Sequence, residues 1–129
     1  MNAPFLPGEF GAQPNTASFV IGAETAHVIN LGVQLKQGAD AIEDAAAVHV
    51  YLSTDAVGDT PTAAADTIAI GTDGSIIGAL IAHALVLVKS ETSGHFDLNI
   101  TEASAATYYA HLVLPSGAIV RSGALVFGG

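Results

Sequence analysis

The side chains with the widest chemical range in this sequence are five histidines, His27, His49, His83, His95 and His111, among twelve carboxylates. Neutral imidazole binds transition metals, and imidazole beside a carboxylate can move a proton. Either use needs groups brought together, and its readable mark is close spacing such as H-x-H or H-E-x-x-H. No such spacing occurs, so the histidines are read as surface or contact residues and no metal is expected. Gathered at a subunit contact, they would make assembly sensitive to pH. Asp55 and Asp59, in the loop Ser53 to Thr60, offer oxygen ligands but lack the alternating acid ladder of a calcium loop. Asp40, Glu43 and Asp44 read as a solvated acidic turn.

Nucleophilic and phosphate chemistry fare no better. Gly71, Gly74 and Gly78 form no G-x-G-x-x-G, no lysine completes a phosphate loop, and no G-x-S-x-G presents a serine for attack. No two acids are marked as facing each other across a cleft, as glycoside hydrolysis requires. Asn99-Ile100-Thr101 has the form of a glycosylation sequon but falls inside an expected strand. No catalytic residue and no cofactor is expected, and the chain is read as a protein without enzymatic activity.

The elements that would position these groups are strands. The clearest passage is Thr107 to Phe127, two strand-like runs flanking Pro115-Ser116-Gly117. Proline presets φ for a turn and glycine accepts positive φ at little cost, so the passage predicts a β-hairpin. Side chains alternate along a strand, which puts Tyr108, Ala110, Leu112 and Leu114 on one face and Tyr109, His111 and Val113 on the other. Tyr108 follows the small-residue loop Ala103 to Ala106, the place where sandwich domains set a tyrosine corner.

Upstream, His27, Ile29, Leu31, Val33 and Leu35 alternate with Ala26, Val28, Asn30, Gly32 and Gln34, predicting a long strand from Thr25. Ser18 to Ile21 predicts a short first strand, and Ala41 to Ala47 reads as the irregular start of a strand in preference to one helical turn, because Val48 to Leu52 is β-branched and alternating. Thr67 to Ile70, Ser75 to Leu80, Ala82 to Ser90 and His95 to Thr101 complete the set, the last burying Phe96, Leu98 and Ile100 and exposing Asp97 and Asn99. An amphipathic helix over Ala79 to Val88 competes with the strand there, because Ala and Leu favour helix. Seven to nine short strands with turns about every ten residues predict an antiparallel β-sandwich over residues 18–129.

Residues 1–17 hold three prolines and two glycines, which oppose regular structure, and predict an extended arm. The arm also carries Phe5, Leu6 and Phe10: either it is a disordered terminus or this apolar load docks, with a neighbouring subunit the natural partner. With Tyr109 and His111 they make up the expected interface residues.

Composition narrows the partners. Three cations against twelve carboxylates give a net charge of −9, which repels phosphate backbones and anionic membranes, so neither nucleic acid nor membrane is an expected partner. Charged residues are 12% of the chain, about half the usual share, which suits a subunit packed among others. There is no cysteine. The first residues lack the basic charge and apolar run of a secretory signal. The longest apolar run, Ser75 to Val88, falls short of the ~18 residues of a spanning helix.

Taken in order, Val48-His49-Val50-Tyr51-Leu52-Ser53 with its following Asp-rich loop, Gly71-Thr72-Asp73-Gly74, Tyr109 to Gly117, and Ser122-Gly123 in the last strand carry a likeness. From about Val28 to Phe127 the chain resembles the immunoglobulin-like β-sandwich domains of tailed-bacteriophage virion proteins. His111 and the alanine-rich segments depart from that pattern, so no binding residue is carried over. The resemblance implies a seven- to nine-stranded immunoglobulin-like fold and a virion structural protein, a capsid decoration or head-associated protein on the capsid exterior. The implied partners are the major capsid protein and copies of itself, with trimers at local threefold positions as one arrangement. The alternative it implies is a host-surface or carbohydrate-binding display module on a head fibre or tail. Sugar sites need exposed aromatics, and here there are only Tyr51, Tyr108 and Tyr109 beyond the phenylalanines, with no tryptophan.

Overall fold

A computed structural model describes residues 13–57 and 64–129. Those residues form ten strands and no helix. In chain order they are β1 (Thr16–Ile21), β2 (Val28–Gln37), β3 (Asp40–Ala41), β4 (Ala47–Ser53), β5 (Thr67–Ile70), β6 (Ser75–Ile81), β7 (Leu85–Lys89), β8 (His95–Thr101), β9 (Ala106–Val113) and β10 (Ile119–Phe127). One sheet runs β1-β2-β8-β5 with β3 beside β2, and the other runs β10-β9-β4-β7-β6. Every pairing is antiparallel. The sheets stack as a β-sandwich, with β1 beside β10 at one margin and β5 beside β6 at the other.

The alternation seen in the sequence is what builds the core. Ile29, Leu31, Val33 and Leu35 of β2 and Phe96, Leu98 and Ile100 of β8 line the inner face of the first sheet. Val48, Val50 and Leu52 of β4, Val86 and Val88 of β7, and Ala110 and Leu112 of β9 answer them from the second. Each large side chain so enclosed contributes roughly 1.5–3 kcal/mol relative to exposure. Phe96 and Phe127 are the largest of them.

Several boundaries differ from expectation. The long strand starts at Val28, because Ala26 and His27 both take positive φ in a tight turn closed by the Thr25–Val28 bridge. Alternation continues through that turn by accident of composition, so the pattern overruns the strand. The strand count exceeds nine because Asp40–Ala41 folds back on β2 through Gly38, at φ 63°. β1 begins at Thr16 and pairs with Lys36, inside the span assigned to the arm. Phe5, Leu6 and Phe10 lie outside the described residues. The competition over Ala79 to Val88 is resolved as strand: β6 ends at Ile81, His83 turns the chain at φ 59°, and β7 follows.

The Pro115-Ser116-Gly117 turn joins β9 to β10 as expected, with Gly117 at φ 90° and its N–H donating to the Leu114 carbonyl at 2.8 Å. Between Arg121 and Ala124 the register of β10 against β9 shifts. There Ser122 fills the gap, accepting the Ala110 N–H at 3.0 Å and donating to the Gly123 carbonyl at 2.8 Å.

Candidate functional site

The five histidines are dispersed over the fold. His27 is exposed in its turn, 3.9 Å from Glu24. His83 sits in the β6–β7 turn, where its Nδ1 accepts the Ile68 N–H at 3.4 Å. His49 faces outward from the middle of β4. His95 pairs with Asp73 at 2.9 Å. Among the described residues no three His, Asp or Glu side chains converge as metal ligands do. Asp55 donates its N–H to Ser53 Oγ at 3.1 Å, while Asp59 lies outside the described residues.

Two shallow concavities hold the polar groups that do gather. The first, about 450 Å³, lies on the outer face of the first sheet and is lined by Val20, Asn30, Thr72, Asp73, His95 and Asp97. Alternation correctly points Asp97 away from the core, but the expectation that it is exposed is overturned: only 7% of it reaches solvent. The turn after β5 folds back over it. Its carboxylate accepts the Thr72 N–H at 2.9 Å, the Asp73 N–H at 2.7 Å and Asn30 Nδ2 at 2.7 Å. Burial alone would raise its pKa. The bonds from Asn30, Asp73 and Thr72, with the His95 charge nearby, outweigh burial and hold it below its ordinary value. A Cβ at Gly71 would collide with this carboxylate, which explains a glycine there. With its acceptor positions occupied, Asp97 is an internal clasp that pins the turn to the sheet. It has no proton to offer at neutral pH.

The second concavity, about 330 Å³, lies at the outer edge of the other sheet, lined by Tyr51, Ala56, Val57, His111, Ile119 and Arg121. His111 is 2% exposed and its ring stacks on Tyr51, centroids 4.8 Å apart and planes 12° from parallel. The Asp55 backbone bonds the ring, while Nε2 has no partner among the described residues. Burial lowers the imidazole pKa; Arg121 adds to that, and the Asp55 backbone and charge oppose it. An expected contact residue is therefore enclosed within its own subunit, beneath Tyr51. Tyr109, its neighbour in the predicted set, is half-buried on the same outer face.

Tyr108 points inward near the start of β9. Its hydroxyl lies 2.7 Å from Glu102 Oε1 and 3.1 Å from the Ala64 carbonyl, so its one proton is held between two acceptors. Burial, then the bond to Glu102 and the charges of Glu102 and Asp66, push the phenol up to about 12. Glu102 was invisible as a structural residue in the sequence. Its only mark there is an acid six positions before Tyr108.

Fold and site together define an all-β sandwich whose buried polar groups hold turns and corners in place. Set against family models, curated proteins and solved structures, the chain has no match.

Proposed function

We propose that this chain is a virion structural protein of a tailed bacteriophage, an immunoglobulin-like decoration or head-associated protein that binds the outer shell through subunit contacts. The resemblance of its ordered motifs supports the phage reading. Its strand order supports the immunoglobulin-like reading: β1-β2-β8-β5 opposite β10-β9-β4 is the order of the two sheets of a constant-type immunoglobulin domain. The β6–β7 hairpin is then an addition beside β4. The observation that carries a holding role is that the buried side chains of Asp97, Glu102, Ser90 and Ser122 are all spent within the chain, on its backbone and on Tyr108.

The mechanism is mechanical. Apolar area buried across shell joints contributes on the order of 25 cal/mol per Å² before association costs are deducted. Removal of residues 1–12 leaves β1 intact and takes away Phe5, Leu6 and Phe10. The truncated protein is expected to fold but to lose attachment to purified shells, read by co-sedimentation. Undiminished attachment would end the arm's role, and failure of the full chain to attach would end the shell-binding proposal itself.

A further inference from the structure

Antiparallel sheets in a sandwich normally show one apolar and one polar face. The first sheet largely obeys: its outer face carries Asn30, Gln34, Lys36, Asp97 and Asn99, with Val20 of the edge strand, 73% exposed, the apolar exception. The second does not. With Val48, Val50, Val86, Val88, Ala110 and Leu112 turned inward, the residues turned outward include Tyr51, Leu85, Leu87, Tyr109 and Val113. β7, Leu-Val-Leu-Val, is apolar on both faces, the pattern of a strand covered on both sides. At the margins Ile119 is 58% and Ile81 41% exposed. Ile81 is the register partner of Leu85, which extends the apolar surface onto the edge strand.

Charge is distributed to match. β4, β6, β7, β9 and β10 contain no carboxylate, in a chain whose net charge is −9. A second copy can approach this face without bringing strand carboxylates together. The rim offers both signs, Lys89 two residues before Glu91 in sequence and Arg121 beside the Asp55–Ala56 loop, where its guanidinium donates to the Ala56 carbonyl at 2.9 Å. A two-fold axis can set each cation toward a carboxylate of its mate, as an isologous contact requires. Size also fits: five strands about 4.8 Å apart and about 7 residues long cover on the order of 500 Å² in plan. Side-chain relief raises that toward the ~800 Å² per partner of a stable interface.

We propose that the outer face of the β10-β9-β4-β7-β6 sheet is a two-fold interface with a second copy of this chain. The proposal rests on the reading of the chain as a subunit held among neighbours, and it specifies which face and which neighbour. β4 lies at the middle, so the axis passes near His49 and Tyr51.

Sedimentation velocity of the full chain, with circular dichroism to establish folding, tests it. The wild type is expected as a dimer at micromolar concentration. Leu87→Glu is expected as a folded monomer, and Ile119→Glu to raise Kd at least about tenfold through charge placed in an apolar contact. Asn99→Glu, on the opposite face, should dimerise like the wild type. If Leu87→Glu fails to fold, Ile119→Glu decides alone, since that side chain is already largely in solvent. A wild-type monomer, a stoichiometry of three, or a dimer indifferent to both substitutions overturns the proposal. A monomer that still attaches to shells overturns the two-fold contact and spares the shell-binding reading. A dimer broken by these changes, in a chain that never attaches to shells, does the reverse.

Discussion

The Asp73 N–H meets the Asp97 carboxylate at 2.7 Å, joining a turn between β5 and β6 to a strand reached 24 residues later. Two acids so close in space would ordinarily repel. Here the backbone N–H of one stabilises the charged carboxylate of the other, while the Asp73 side chain turns away to His95 at 2.9 Å.

Replacing Asp97 with Ala removes the acceptor for two backbone N–H groups and Asn30. Urea unfolding is expected to show a loss of about 3 kcal/mol at neutral pH. A loss below about 1 kcal/mol would mean that water replaces the carboxylate easily.

The same group sets a pH dependence. Its folded pKa lies below the ordinary 3.8, so its stabilisation is complete above that value and disappears as pH falls through the lower folded pKa. Unfolding free energies measured from pH 5 down to 2 should fall more steeply in the wild type than in Asp97→Asn.

Gly71→Ala forces a methyl group into the Asp97 carboxylate. Destabilisation of roughly 1–3 kcal/mol is expected from overpacking. In the double variant Gly71→Ala, Asp97→Ala the two losses should add to less than their sum, because they disrupt one contact.

His111 works with the opposite charge and the same direction of pH. Its folded pKa is depressed below 6.5, so the neutral ring's contribution is present above that value and is lost as pH falls from 6.5 through the folded pKa. His111→Phe keeps a ring against Tyr51 and removes both the titration and the unpartnered Nε2. Its stability relative to the wild type should improve between pH 7 and pH 5, at most about 1.4 kcal/mol per pH unit.

Tyr108→Phe leaves the edge contact with Phe127, ring centroids 6.0 Å apart, and removes only the hydroxyl. Glu102 Oε1 then stays buried without its donor, while Oε2 keeps the Ser104 N–H at 3.2 Å, so chemical denaturation should show a loss of about 1–3 kcal/mol. Oligomeric state should not change, since the residue is enclosed.

How much of this could be read beforehand varies with the range of the cause. Ile29 to Leu35 and Phe96 to Ile100 announce their buried face through alternation alone. The hairpin at Pro115 to Gly117 follows from residues that restrict or release φ. Ala26 and His27 mislead, because a turn at positive φ leaves no mark in polarity. Asp97 was placed on the correct face and given the wrong exposure, since its cover comes from Thr72 and Asp73.

By itself the sequence determined the all-β class, the inward faces of most strands and the turns between them. These follow from a two-residue period and from φ preferences, both properties of neighbours along the chain. Only the tertiary structure decided that β8 lies between β2 and β5, that Asp97 is clasped, that Tyr108 reaches Glu102 and Ala64, and that His111 is sealed beneath Tyr51. Those outcomes depend on which distant segments meet once the core closes, and burial is a property of that meeting.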